Sequence, residues 1–112
     1  MKITKVLITG IAGSGGSYLA EYIANNHPEV EINGLAYSRS TRLNLETLEK
    51  KIDRHEADLM DFGSVFSVLD KVRPDAIFHL AAFANVRASF HTPNTFLSNN
   101  ILGTSNLFEA IR

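Results

Sequence analysis

The fold is decided near the N-terminus by the stretch Val6 to Gly16, whose sequence is VLITGIAGSGG. It starts with the short aliphatic run Val6-Leu7-Ile8, which is typical of a strand buried on both faces of a parallel sheet. Gly10, Gly13 and Gly16 follow, directly before apolar residues at helical spacing. A strand, a glycine-rich turn and a helix in this order predict the first βα unit of an open α/β sheet.

Strand and helix patterns alternate along the rest of the chain. We predict strands over residues 3–9, 30–37, 52–57 and 76–82. Helices are expected from Ser14 up to the segment Asn25-Asn26-His27-Pro28, around residues 45–49, behind Asp61 as N-cap, and after Pro93. This alternation predicts a Rossmann-like, doubly wound parallel sheet of the α/β class, with right-handed crossovers and strand order 3-2-1-4.

Several side chains are expected to pack in the core of this fold. The helix behind Asp61 should bury one face, formed by Phe62, Val65, Phe66, Leu69 and Val72. Tyr18 and Tyr22 are interpreted as packing residues of the first helix. His79, in an apolar strand, is interpreted as a hydrogen-bonded core residue.

Length and composition limit the classes of function. A chain of 112 residues holds one domain at most, and we interpret residues 1–112 as the N-terminal part of a dinucleotide-binding domain. The sheet would end on a helix with an uncovered edge, so the sequence is expected to be a piece of a longer protein. A net charge of -1 and no long apolar run argue against nucleic-acid or membrane partners. No cysteine is present, which fits a reducing compartment, and the cytoplasm is expected.

The glycine-rich turn predicts a phosphate site. Gly10 would make the tight turn, Gly13 would let the backbone approach a pyrophosphate, and Gly16 would let the helix pack closely. Gly15 lies in the same first helical turn, whose free N–H groups attract anions, and Ser14 and Ser17 could add hydroxyl donors. The spacing is G-x-x-G-x-x-G rather than G-x-G-x-x-G, and the lysine of a P-loop is missing. We therefore predict the pyrophosphate of NAD or NADP here, the alternative being a turn without a ligand.

The residues after the second and third strands are expected to bind the ribose and the adenine of the dinucleotide. An acidic residue ~20 positions on would hold the ribose of NAD, but residues 35–42 contain none and instead carry Arg39 and Arg42. These arginines suit the 2′-phosphate of NADP, unless they are solvated loop charges. Asp58, beside Leu59, could accept from the adenine amino group, or could belong to the start of the next helix.

These residues together resemble the extended short-chain dehydrogenase/reductase family, and within it the GDP-mannose 4,6-dehydratases. The segment Thr9 to Glu21, TGIAGSGGSYLAE, is similar to the dehydratase signature, with Gly15 in place of the usual aspartate. Three later segments are also similar, 89–93, 100–104 and 107–112. The resemblance implies that Asp58-Leu59 and Leu80-Ala81-Ala82 contact the cofactor, that the substrate is a nucleotide-sugar, and that the protein is a homo-oligomer. Nucleotide-sugar 4-epimerases and 4-keto-sugar reductases share most of these motifs and remain alternatives.

Catalysis in this family needs a Tyr-x-x-x-Lys pair, and none of the tyrosines Tyr18, Tyr22 and Tyr37 has a lysine four residues later. The catalytic residues are therefore expected beyond Arg112. A non-catalytic NADP-binding module is the remaining alternative. The loop after the fourth strand lies where ligands of open α/β sheets bind, and its residues Val86, Arg87 and Ser89 could face the nicotinamide or the sugar-phosphate of the substrate. The alternative is an ordinary surface loop. The histidines show no metal-ligand spacing, so no metal site is predicted.

Overall fold

A computed structural model describes residues 2–11, 14–36, 51–80 and 101–112. Its strands are β1 (Lys5–Thr9), β2 (Glu31–Ala36), β3 (Ile52–Glu56) and β4 (Ala76–His79), and its helices are α1 (Ser14–Asn26), α2 (Phe62–Val72) and α3 (Gly103–Ile111). Each observed strand is at least one residue shorter than the strand predicted from sequence. The helix expected around residues 45–49 and the start of the last helix lie outside the described residues.

The strands form one parallel sheet in the order β3-β2-β1-β4, which confirms the predicted topology. Thr9 at the end of β1 pairs with Leu35 on one side and His79 on the other. Ala36 at the end of β2 pairs with Glu56 at the end of β3. All four carboxyl ends therefore meet at one edge of the sheet, where ligands of open α/β folds bind.

Helices cover both faces of the sheet, as a doubly wound fold requires. Side chains alternate in β1, so that Val6 and Ile8 face the cluster that includes Ala20 and Ile23 of α1. Leu7 faces the opposite cluster, which contains Val65, Val68, Leu69 and Val72 of α2 and Leu107 of α3. Burial of each such aliphatic side chain contributes about 1.5–3 kcal/mol.

Helix α2 begins at the N-cap that its sequence predicts. The Asp61 carboxylate accepts a hydrogen bond from the Gly63 N–H at 3.2 Å, which confirms Asp61 as the N-cap. At the other end Arg73 adopts a left-handed conformation, with φ of 50°, and its N–H bonds the Leu69 carbonyl. The predicted apolar face of α2 differs from the observed one. Val68, which was not predicted, is buried, whereas the predicted Phe62 and Phe66 are 39% and 49% exposed and contact each other.

The interpretation of Tyr18 and Tyr22 as packing residues of the first helix is wrong, because they are 69% and 58% exposed. Helix α1 instead turns Gly16, Ser17, Ala20 and Ile23 towards the rest of the molecule. Three of these residues are small, so the helix approaches too closely to leave room for a ring. The aromatic side chains therefore lie on the outer side of α1.

Strand β4 is less buried than predicted. Phe78 is 40% exposed, and Ala76, Ile77 and His79 are only partly buried. This strand is more exposed because it lies at an edge of the described sheet.

Candidate functional site

The glycine-rich turn begins at the carboxyl end of β1, and two of its glycines are required by geometry. Gly10 has φ of 70°, a conformation that side chains other than glycine rarely adopt. A Cβ on Gly16 would lie 2.3 Å from the Gly10 carbonyl oxygen and 2.9 Å from the Ile11 Cα. The backbone of α1 thus lies directly against the turn, so any side chain at residue 16 would push the helix away.

Two buried contacts fix the residues around this turn. The Ser17 hydroxyl donates to the Ile11 carbonyl at 3.0 Å, and both residues are buried. Ser17 therefore holds the turn and is not a phosphate donor, which corrects the expectation above. The Ile11 side chain packs on β2, where a Cβ on Gly34 would lie 2.7 Å from its Cγ1.

The first turn of α1 is open on its outer side. Gly15 is exposed, and a Cβ there would have nothing within 4 Å. This turn carries no acidic side chain, so its free N–H groups and positive dipole end are not opposed by a carboxylate. Such a helix start can bind a phosphate group.

A second turn, between β3 and α2, joins the same edge of the sheet. The Asp58 carboxylate accepts from the Met60 N–H at 2.9 Å, and the Ser64 hydroxyl lies 3.2 Å from both the N–H and the carbonyl of Asp58. Asp58 thus shapes the start of α2, one of the two roles considered for it. Its half-buried position at the carboxyl edge also suits the other role, contact with adenine.

Helix α3 fixes the position of Leu59. The Asn106 amide donates to the Leu59 carbonyl at 2.7 Å, and a Cβ on Gly103 would lie 3.1 Å from the Leu59 Cβ. The backbone of α3 at Gly103 is thus packed closely against Leu59. The role of Asn106 was missed, because a bond to a carbonyl 47 residues away leaves no local signal.

The end of β4 is tied to the end of β1 through Thr9. The Leu80 N–H donates to the Thr9 hydroxyl oxygen at 2.9 Å, and His79 Nδ1 lies 2.7 Å from the same atom. His79 Nε2 lies 3.0 Å from the Thr104 hydroxyl of α3. This confirms His79 as a hydrogen-bonded residue, and its burial lowers the pKa of the imidazole below the ordinary 6.5.

The described residues also form a groove between α2 and the strands β1, β2 and β3. It is lined by groups of both charges, among them Lys5, Glu31, Asp53 and Lys71. Neither α1 nor the glycine-rich turn lines it, so we place the phosphate site at the start of α1 instead. His55 borders the groove, and its pKa is lowered by burial and, to a smaller extent, by Lys71.

Gly10, Gly15, Gly16, Asp58, Leu59 and Leu80 are the predicted site residues that the structure describes, and all follow the carboxyl ends of strands or begin α1. Ser14 is described only as the first residue of α1. The remaining predicted site residues lie outside the described residues: Gly13, Arg39, Arg42, Ala81, Ala82, Val86, Arg87 and Ser89.

Two further features are absent from the described part of the chain. No three histidine, aspartate or glutamate side chains there are grouped so that they could hold a metal ion. None of its helices is both long and apolar enough to cross a bilayer.

Comparison with known proteins agrees with this geometry. The model of the family described as GDP-mannose 4,6 dehydratase matches residues 7–112. The chain belongs to this family. Within the extended short-chain dehydrogenase/reductases to which the family belongs, GDP-mannose 4,6-dehydratase of Vibrio cholerae is 36% identical over 115 residues, and UDP-glucose 4-epimerase of Mycoplasma pneumoniae is 29% identical over 109 residues.

A solved structure shows the same architecture. The Thermus thermophilus UDP-glucose 4-epimerase in complex with NAD superposes with a TM-score of 0.83 and 31% identity, over 96% of this chain. The chain spans about a third of each relative: 31% of the Vibrio protein, 32% of the Mycoplasma protein and 33% of the Thermus chain.

Proposed function

We propose that this chain is the cofactor-binding portion of an NADP-dependent nucleotide-sugar 4,6-dehydratase of the GDP-mannose type. The observation that carries the proposal is the contact between Gly16 and the Gly10 carbonyl, which places the start of α1 at the carboxyl edge of β1. A diphosphate at that point would receive the free N–H groups of the first helical turn. The nicotinamide would supply a hydride acceptor, and the residues described here would bind and orient it.

The preference for NADP over NAD rests on sequence. Residues 35–42 carry Arg39 and Arg42 and no acidic residue, and an arginine can bind the 2′-phosphate with two hydrogen bonds. The test is calorimetric titration of the complete protein with NADP⁺ and with NAD⁺. We expect NADP⁺ to bind at least about tenfold more tightly, and R39A and R42A to remove this difference. Equal affinities in the unaltered protein would contradict the preference.

The catalytic pair is proposed to lie beyond Arg112. No Tyr-x-x-x-Lys sequence occurs in residues 1–112, and the relatives are about three times as long. Such a pair would let a tyrosine take the proton of the sugar hydroxyl, because the neighbouring lysine lowers the tyrosine pKa. A complete sequence without this pair would leave a non-catalytic NADP-binding module as the better description.

A 4-epimerase is the second candidate, favoured by the similarity to the Mycoplasma and Thermus UDP-glucose 4-epimerases. The two reactions differ in composition of the product: a 4,6-dehydratase removes one water and leaves a 4-keto sugar, whereas an epimerase releases an isomer. Incubation of the complete protein with GDP-mannose and, separately, with UDP-glucose distinguishes them, because mass spectrometry detects the loss of water and proton NMR of the sugar detects an isomer of unchanged mass. We expect loss of one water from GDP-mannose, and an isomer of UDP-glucose alone would establish the epimerase.

A further inference from the structure

An asparagine is followed by a glycine inside strand β2, at Asn33 and Gly34. This dipeptide is typical of turns, because both residues tolerate a positive φ. Here it lies in a strand that is paired with β1 on one side and with β3 on the other. Both residues are buried. The fold thus keeps in its interior a dipeptide that is more usual at the surface.

Packing requires a glycine at residue 34. A Cβ there would lie 2.7 Å from Cγ1 of Ile11 and 2.9 Å from the Cβ and Cγ2 of the same residue. Ile11 is 0% exposed, so its side chain has little room to move aside. Any larger residue at this position would push β2 away from the glycine-rich turn.

Hydrogen bonding requires an asparagine at residue 33, because its side chain joins three strands. The Asn33 Nδ2 donates to the Val6 carbonyl of β1 at 3.4 Å and to the Glu31 carboxylate of β2 at 2.9 Å. The Asn33 Oδ1 lies 3.0 Å from His55 Nε2 of β3. A carbonyl and a carboxylate only accept, so the amide nitrogen has to face them. The position therefore requires an uncharged side chain that both donates and accepts.

The same dipeptide is the one in which asparagine loses ammonia most readily, because glycine has no side chain to hinder the attack. The backbone nitrogen of Gly34 forms a bond to Cγ of Asn33, the bond from Cγ to Nδ2 breaks, and ammonia leaves. Water then opens the resulting cyclic imide at one of its two carbonyls. The product at residue 33 is aspartate or isoaspartate, and water is the only other reactant.

The folded chain restrains both reacting groups. Three contacts hold the Asn33 amide, and Gly34 pairs with Ile8 of β1 and Arg54 of β3. We infer that Asn33 is a deamidation site that reacts only when β2 unfolds, and that the deamidated chain cannot return to this fold. Loss of ammonia then makes a reversible unfolding event permanent.

The products do not fit the position of Asn33. Aspartate would put a carboxylate where Nδ2 donates, against the Glu31 carboxylate and the Val6 carbonyl. Burial and, to a smaller extent, Lys71 lower the pKa of His55, which opposes its protonation as a partner for the new carboxylate. Isoaspartate adds a carbon to the main chain of β2 and displaces its pairing with both neighbouring strands.

The rate is measured by peptide mass spectrometry of the complete protein in mildly alkaline buffer, both folded and unfolded in guanidinium chloride. Asn33 should react at least about a hundredfold more slowly in the folded protein, because a stable domain is unfolded for only a small fraction of the time. Asn25 and Asn26 are the comparison, since they are exposed but no glycine follows them, and they should react slowly in both states. G34A should slow the reaction of Asn33 in guanidinium chloride, where packing plays no part.

Equal rates at Asn33 in the folded and unfolded protein would overturn the inference. So would the absence of a reaction in guanidinium chloride, or a G34A variant that reacts there as fast as the unaltered chain.

Refolding tests whether the products are excluded from the fold. The protein is kept in guanidinium chloride until part of Asn33 has reacted and is then diluted into buffer, and gel filtration separates refolded from aggregated protein. We expect the refolded protein to retain asparagine at residue 33 and the aggregate to contain the products. N33D should also unfold at a lower urea concentration than N26D, the same change at an exposed position of α1. Equal amounts of product in both fractions, or an N33D variant as stable as N26D, would overturn this exclusion.

Discussion

Gly16 lies so close to Gly10 that a Cβ at residue 16 would stand 2.3 Å from the Gly10 carbonyl oxygen. This overlap cannot be relieved by moving a side chain, because the Gly10 oxygen is a backbone atom. The approach brings the start of α1 onto the end of β1, and it determines where the free N–H groups of the helix point.

Replacing Gly16 by alanine should therefore displace α1 from the turn. We expect G16A to lower the free energy of unfolding by about 3 kcal/mol, the upper part of the usual cost of overpacking, and to weaken NADP⁺ binding. G15A is the matched control, because its Cβ would meet nothing within 4 Å. It should raise the stability by about 0.5–1 kcal/mol, since alanine is favoured over glycine in a helix. Urea denaturation of both variants measures the difference, and equal stabilities would contradict the close approach.

A second close approach links Gly34 to Ile11, whose Cγ1 would lie 2.7 Å from a Cβ at residue 34. We expect G34A to cost about 1–3 kcal/mol of stability through overpacking, and I11A to cost about 2–5 kcal/mol through the cavity that it leaves. The double variant should cost less than the two single costs combined, because each change relieves the other. Strictly additive costs in urea denaturation would show that the two residues do not meet.

The hydrogen bond from Asn106 to Leu59 should support the part of the site proposed to contact adenine. N106A removes the donor to the Leu59 carbonyl and should cost about 1 kcal/mol. N106D should cost more, because it places a carboxylate oxygen against that carbonyl. Both variants loosen the Asp58-Leu59 turn and should weaken NADP⁺ binding, measured by calorimetry. An N106D variant as stable as the unaltered protein would argue against the bond.

The hydrogen bonds of Asp75 should make the free energy of unfolding depend on pH in the acid range. Its carboxylate accepts from the Thr4 N–H, the Thr4 hydroxyl and the Lys5 N–H, and these bonds lower its pKa below the ordinary 3.8. A depressed carboxyl pKa contributes stability that is present above pH 3.8 and is lost as the pH falls through the folded-state value. D75N should be less stable than the unaltered protein at pH 7, and the gap should narrow in acid. A gap that is constant with pH would contradict this account.

The strand order and the place of the glycine-rich turn could be predicted from sequence, because they depend on local patterns. Val6-Leu7-Ile8 and the following glycines determine a buried strand, a turn and a helix within eleven positions. The end of α2 was predictable for the same reason, since Pro74 follows its last turn.

The orientation of α1 was not predictable, because the pairs Tyr18-Leu19 and Tyr22-Ile23 offer two apolar stripes at the same spacing. The choice between them is made by Gly16 and Ser17, whose contacts come from the turn before the helix. The hydrogen bonds of Asn106 and Thr104 were equally hidden, because their partners lie 47 and 25 residues away. Contacts of this kind depend on the assembled sheet.

The location of the diphosphate is tested most directly by a crystal structure of the protein soaked in NADP⁺. The account predicts that the diphosphate lies at the first turn of α1, with its oxygens within hydrogen-bond distance of the backbone N–H groups that begin at Ser14. Density for the dinucleotide elsewhere, or a side chain filling that position, would contradict it.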